Sequence, residues 1–142
     1  MLVRVATVGL CHSDLSVVDG TRPRPLPMVL GHEASGVVVD VGDGVVDLAL
    51  GDHVVFTFVP ACGGCLPCQS GRPALCTRGA AANGEGTLLS GRYVFRRSGG
   101  EVVHQQLGVS CLSTHTVAAA NSLVKVPLEL PSTAPRSSAA RC

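Results

Sequence analysis

Four cysteines stand close together as C-x2-C-x2-C-x7-C, at Cys62, Cys65, Cys68 and Cys76. Four thiolates in so short a loop can close around one tetrahedral zinc, at Zn–S distances of about 2.3 Å. An ion ligated four times by protein has no open position, so such a site fixes structure and does no chemistry. Gly63, Gly64, Pro67 and Gly71 lie between the ligands, where the backbone must turn tightly and leave amide donors for the sulfurs. The same spacing also suits two disulfides or an iron–sulfur cluster.

A second group of residues suits an open site. Cys11 and His32 offer one thiolate and one imidazole, two of the three protein ligands that a catalytic zinc takes, and Glu33 follows His32 directly. Each has a plainer account when taken singly: Cys11 as a small core residue, His32 as a hydrogen-bonded loop histidine, Glu33 as a solvated charge. Asp14 is a candidate to orient His32, because a ligating imidazole usually donates its second N–H to a carboxylate. His12, His53, His104 and His115 have no partner at ligand spacing and are assigned no role.

Taken together these residues form a known pattern. Gly31-His32-Glu33-Ala34-Ser35-Gly36, followed by a valine-rich run and Gly42, resembles the GHE signature of zinc alcohol dehydrogenases of the medium-chain dehydrogenase/reductase superfamily. Cys11-His12-Ser13-Asp14 resembles the family's first-ligand motif, and the four-cysteine lobe follows in the family's order. The resemblance runs from about residue 2 to residue 130. It implies a mainly β fold, a GroES-like partly open β-barrel with a zinc-stapled loop lobe. It further implies that Cys11 and His32 bind a catalytic zinc, with Glu33 behind the metal or bound to it transiently and Asp14 orienting His32. Ser13 would hydrogen-bond the hydroxyl of a small alcohol, whose hydride passes to NAD(P) once the zinc has lowered the hydroxyl pKa. Cys62, Cys65, Cys68 and Cys76 would hold the structural zinc. Complete members are commonly dimers or tetramers, so a homo-oligomer is implied for a complete relative.

Several positions depart from the family. Its third catalytic-zinc ligand is a cysteine near the start of the nucleotide-binding domain, and only Cys111 and Cys142 remain as candidates here. Cys111 reads as a substitution in the sheet, where relatives have an aromatic residue nearby. No G-x-G-x-x-G follows a strand, since Gly84-Glu85-Gly86 lacks the third glycine, so no residue is assigned to nucleotide binding. Ser16 stands where well-known members place a proton-relaying histidine. The expectation is a catalytic-domain fragment, incomplete at both ends and inactive alone, covering residues 1–130. Residues 131–142 read as an unstructured tail whose Arg, Ala, Ser and Pro content is what a shifted reading frame in a GC-rich gene would give.

The elements that must position these groups are mostly strands. Residues 2–8 alternate well enough for a strand that starts with no lead-in, and residues 11–20 suit a short helical turn. Three prolines make 21–27 an extended loop. Residues 34–42 and 52–59 read as strands joined through a turn at Asp43-Gly44. Residues 60–78 can bury almost no hydrocarbon and need a cross-link to be ordered. Residues 79–100, rich in Gly, Ala and Ser, show no strand pattern, and short strands resume at 114–120 and 122–126.

Composition agrees with one domain. The 142 residues are 46% hydrophobic but only 3% aromatic, so Val, Leu and Ala must build the core. A net charge of +1 gives no field to attract nucleic acid or an anionic membrane, and Arg92, Arg96 and Arg97 read as a solvated loop. No apolar run approaches the roughly 18 residues of a membrane span, and the start lacks signal-peptide sections. The expectation is a cytoplasmic protein. A non-catalytic zinc-binding interaction module is the alternative, but neither the lobe nor its flanks offer a basic or aromatic face. A dithiol redox protein would need a thioredoxin-like βαβ pattern, which is absent.

Overall fold

A computed structural model describes residues 1–58 and 60–129. The expected boundary at residue 130, Cys142 and the 131–142 tail lie outside the described residues. The chain is mainly β. Strands β1 (Leu2–Gly9), β3 (Glu33–Asp40), β4 (His53–Phe56), β7 (His115–Val117) and β8 (Leu123–Val126) form a five-stranded sheet in the order β7-β1-β3-β4-β8. Strands β2 (Met28–Val29), β6 (Val102–Gln105) and β5 (Phe95–Arg96) form a second sheet in the order β2-β6-β5. The two sheets do not close into one barrel.

Period-two patterning explains the first sheet. Val3 pairs with Val38 across the antiparallel β1–β3 ladder, and both side chains are buried. Val54 and Phe56 of β4 join them, with Leu48, Val109, Cys111, Ala118 and Leu123 completing the core. Each fully buried valine contributes about 2 kcal/mol of burial free energy, which is how a chain nearly free of aromatics holds together. Because β1 is paired on both sides, the free edges of this sheet are the short strands β7 and β8.

Helices α1 (His12–Val18), α2 (Leu66–Gln69) and α3 (Thr77–Glu85) are short. The last opens the Gly-, Ala- and Ser-rich stretch 79–100, which showed no strand pattern and to which no helix was assigned. Ala80, Ala81 and Ala82 favour the helix, the Cys76 sulfur caps it by accepting from the Gly79 amide, and Gly86 ends it in the left-handed conformation. Two other elements of that region, β5 and the partner strand β6, are too brief for alternation to reveal. The strand expected at 114–120 is only His115–Val117, because Ala120–Ser122 forms a 3-10 turn leading into β8. Arg96 and Arg97 sit on the exposed β5–β6 hairpin, where Arg97 pairs with Glu101 at 2.9 Å. Among the described residues, no helix is long and apolar enough to cross a membrane.

Candidate metal centres

The four-cysteine lobe is a loop closed by its own sulfurs. Tetrahedral geometry at a Zn–S distance of about 2.3 Å sets neighbouring sulfurs about 3.8 Å apart. The Cys65 and Cys76 sulfurs are 3.8 Å apart, those of Cys65 and Cys68 3.4 Å apart, and one ligand atom from each of the four cysteines lies within 4.8 Å of the others. None of these cysteines is in a disulfide. An iron–sulfur cluster interposes inorganic sulfide and needs its cysteines further apart, so the spacing fits one zinc ion.

Backbone amides prepare the sulfurs for a cation. Cys76 accepts from the Cys62 amide at 3.3 Å and from the Gly79 amide at 3.2 Å, and the first of these chiefly holds its thiol below the usual range. The Cys68 amide holds the Cys65 thiol down to about 6, whereas burial pushes the Cys68 thiol up to about 11. A Cβ at Gly79 would fall 2.0 Å from the Pro60 carbonyl oxygen, so only glycine lets α3 approach the start of the lobe. No side chain in the α2 turn is more than partly buried, which leaves the sulfurs as the lobe's main internal link.

The second centre is built where α1 meets the start of β3. Cys11 is the N-cap of α1, and Asp14, in the helix's first turn, reaches back to it: the Cys11 amide donates to Asp14 Oδ2 at 3.0 Å. The other carboxylate oxygen, Oδ1, lies 3.1 Å from His32 Nδ1. With Asp14 ionised, Nδ1–H donates to it and Nε2 is left as the coordinating nitrogen. Cys11 Sγ, a His32 ring nitrogen and a Glu33 carboxylate oxygen all lie within 4.8 Å of one another, and His32 Nε2 is 3.9 Å from Glu33 Oε1. One thiolate, one imidazole and one carboxylate make three ligands and leave a tetrahedral ion its fourth position.

Gly31 shapes this corner. Its φ is +94°, and a Cβ there would meet the Leu112 amide nitrogen at 2.7 Å and Cys111 Sγ at 2.8 Å. Ser13 lies half-buried on the first turn of α1 between Cys11 and Asp14. Ser16 touches the exposed His12 ring at 3.3 Å.

Cys111 does not join either centre. It lies in the loop before β7 and not in the sheet, which corrects the sequence reading. Its S–H donates to the Glu33 carbonyl oxygen at 3.6 Å, and burial pushes the thiol up to about 12. Its sulfur stands outside both groups of candidate ligands among the described residues, and its burial makes it a core group.

Two neighbours of His32 escaped the sequence reading. Phe58 meets the His32 ring edge-on at a centroid distance of 5.8 Å and also lines an apolar cavity of about 370 Å³ with Pro60, Leu75, Asn83 and Leu107. Buried Gln106 accepts from the Gly31 amide at 2.6 Å through Oε1. Phe58 follows a legible strand and was within reach of pattern reading; a contact between positions 75 residues apart was not.

The sequence profile described as "Alcohol dehydrogenase GroES-like domain" matches residues 1–128. The chain belongs to this family. A structure titled "Alcohol dehydrogenase zinc-binding domain protein" from Burkholderia ambifaria superposes with a TM-score of 0.85 at 45% identity, over 92% of this chain and 35% of that one. Benzyl alcohol dehydrogenase from Acinetobacter calcoaceticus superposes with a TM-score of 0.77 at 36% identity, over 92% and 34% of the two chains. The S-(hydroxymethyl)glutathione dehydrogenase of Synechocystis is 41% identical over 127 residues, which are 89% of this chain and 34% of that protein. This GroES-like chain therefore spans about a third of the length of the relatives it matches.

Proposed function

We propose that this chain is the metal-binding half of a zinc-dependent, NAD(P)-linked alcohol dehydrogenase. The observation that carries the reading is the joint presence of a four-thiolate cluster and, apart from it, a Cys11–His32–Glu33 group with a position to spare. The four cysteines would hold a structural zinc. Cys11, His32 and Glu33 would hold a second ion, whose Lewis acidity lowers the pKa of a substrate hydroxyl. Asp14 keeps His32 in the tautomer that presents Nε2, and Ser13 receives the hydroxyl proton and passes it towards solvent. Residues 1–130 would form this catalytic domain and 131–142 a tail outside it.

The apolar cavity beside Phe58 supports an alcohol or aldehyde with a hydrocarbon portion as substrate. The names of the relatives, an aromatic-alcohol enzyme and a glutathione-adduct enzyme, support the reaction class without choosing between substrates. Hydride transfer needs a nucleotide site, to which no described residue is assigned; homo-oligomerisation of the complete protein, implied by the family resemblance, and a cytoplasmic location belong to the same proposal.

Native mass spectrometry on protein purified without added metal tests the reading. Two zinc ions per chain are expected, falling to one in Cys11→Ser. A chimera carrying the nucleotide-binding portion of the Burkholderia relative should then oxidise primary alcohols with NAD(P)+. Zinc counts unchanged by Cys11→Ser, or a chimera that binds two zincs and nucleotide yet oxidises none of a panel of alcohols, would refute it.

A further inference from the structure

The loop after β6 reaches the peptide that carries His32. Gly31 donates its amide to Gln106 Oε1 at 2.6 Å and, at 3.2 Å, to Asp14 Oδ1. Its carbonyl accepts from the Cys111 amide at 3.0 Å, and the Leu30 carbonyl accepts from the Leu112 amide at 2.9 Å. Both polar groups of Gly31 are therefore committed to residues 106–112.

Gln106 is itself held on a built support. It is 3% exposed, its amide donates to Ser110 Oγ at 2.8 Å, and that hydroxyl donates to the Val29 carbonyl at 2.7 Å. Leu107 and Ser110 both have φ of +52°, a left-handed conformation that non-glycine residues rarely adopt. A loop kept in that conformation is tied to the turn before His32 by hydrogen bonds to Gly31, Leu30 and Val29, and its Cys111 thiol reaches the Glu33 carbonyl just after it.

The acceptor geometry gives Gln106 its role. Asp14 Oδ1 faces two donors, the Gly31 amide and the His32 ring, and a carboxylate oxygen drawn towards one is drawn from the other. Gln106 takes the Gly31 amide at 2.6 Å, so the share of that amide reaching Oδ1 is the longer one, at 3.2 Å, beside the imidazole at 3.1 Å. We infer that Gln106 is a positioning residue for metal binding: by accepting from the Gly31 amide, it fixes the His32 peptide and weakens the amide's competing bond to Asp14 Oδ1, which holds His32 Nδ1–H. This rests on Cys11, His32 and Glu33 being metal ligands.

The test uses the full chain loaded with zinc. Chelator competition reads the affinity of the second zinc, and long-range ¹⁵N NMR of the metal-free chain reads the His32 tautomer. Gln106→Met keeps the length of the side chain and removes the acceptor. It should weaken the second zinc about 10–100-fold, the usual cost of losing an outer partner of a ligand, and turn a single Nδ1–H tautomer into a mixture. Gln106→Glu keeps an acceptor oxygen and should hold the affinity within a few-fold of the parent. His32→Ala separates the two claims, since two zincs retained in His32→Ala would refute the metal site itself. If His32→Ala loses one zinc while Gln106→Met lowers only the melting temperature, leaving affinity and tautomer unchanged, Gln106 is a structural residue and the inference fails. Should Gln106→Met lose both zincs by unfolding, Gln106→Asn decides, because its carbonyl falls one methylene short of Gly31: a second zinc weakened alone supports the role, and one of parental affinity overturns it.

Discussion

Asp14 accepts from His32 Nδ1 with one carboxylate oxygen, at 3.1 Å, while the other accepts from the amide of Cys11, at 3.0 Å. One buried carboxylate thus ties together two candidate ligands that are 21 residues apart in the chain. Replacing it by Asn keeps the size and removes the charge that fixes the imidazole tautomer. Asp14→Asn should weaken zinc at the Cys11–His32–Glu33 site about 10–100-fold and leave the four-cysteine zinc in place, as read by chelator competition.

Leu66 and Leu75 of the lobe at residues 60–78 are exposed, so a metal held by its cysteines should supply most of its order. Cys68→Ser should lose one zinc and open the lobe locally without unfolding the five-stranded sheet. Trypsin should then cut after Arg78 at least about tenfold faster, the factor that ~1.4 kcal/mol of lost local stability produces. Unchanged cleavage would mean that the lobe is ordered by something other than zinc.

The thiols of the metal-free chain should separate by pH, because the thiolate is the reacting form. Cys65, held down to about 6 by the Cys68 amide, is mostly ionised at pH 7 and loses reactivity as pH falls through 6. Cys111, pushed up to about 12 by burial, stays protonated and shielded across that range. Site-resolved iodoacetamide labelling between pH 5 and pH 9 should show Cys65 half-labelled near pH 6 where the Cys68 amide still meets its sulfur, and near the ordinary thiol value of about 8.5 where loss of metal has opened the lobe, with Cys111 unlabelled until the protein unfolds.

Gly31→Ala should be far more damaging than Gly20→Ala, although both positions have positive φ. At Gly20, with φ of +78°, nothing lies within 4 Å of the added Cβ, so the cost is the backbone strain alone, about 1–2 kcal/mol. At Gly31 the Cβ also collides with the Leu112 amide and Cys111 Sγ. Thermal unfolding of the two variants should rank them, and equal destabilisation would mean that the 106–112 loop yields easily.

Metal-ligand chemistry was legible because it depends on residue type and short spacing. The pattern Cys62, Cys65, Cys68, Cys76 carries its own loop closure, and Gly31-His32-Glu33 carries both donors and the glycine their approach requires. The main strands were legible for a similar reason, since Val3, Val38 and Val54 sit in alternating runs that can bury only one face. Helix α3 was missed because its cap is a cysteine sulfur already committed to the lobe, and β5 and β6 because two to four residues carry too little alternation.

What the sequence by itself determined, then, is the set of groups able to hold metal, the strands that bury valine, and the family those motifs mark. These follow from interactions between neighbours in the chain, where spacing and side-chain chemistry are enough. Only the tertiary structure decided that Asp14, which the sequence offers as a partner for His32, also holds the Cys11 amide, that Cys111 is a buried core thiol in a loop, and that Gln106 holds the Gly31 amide. Apart from Asp14 with Cys11, these pairings join positions 18 to 78 residues apart. Their partners are selected by how the sheets pack and where the loop before β7 is anchored, which no local pattern encodes.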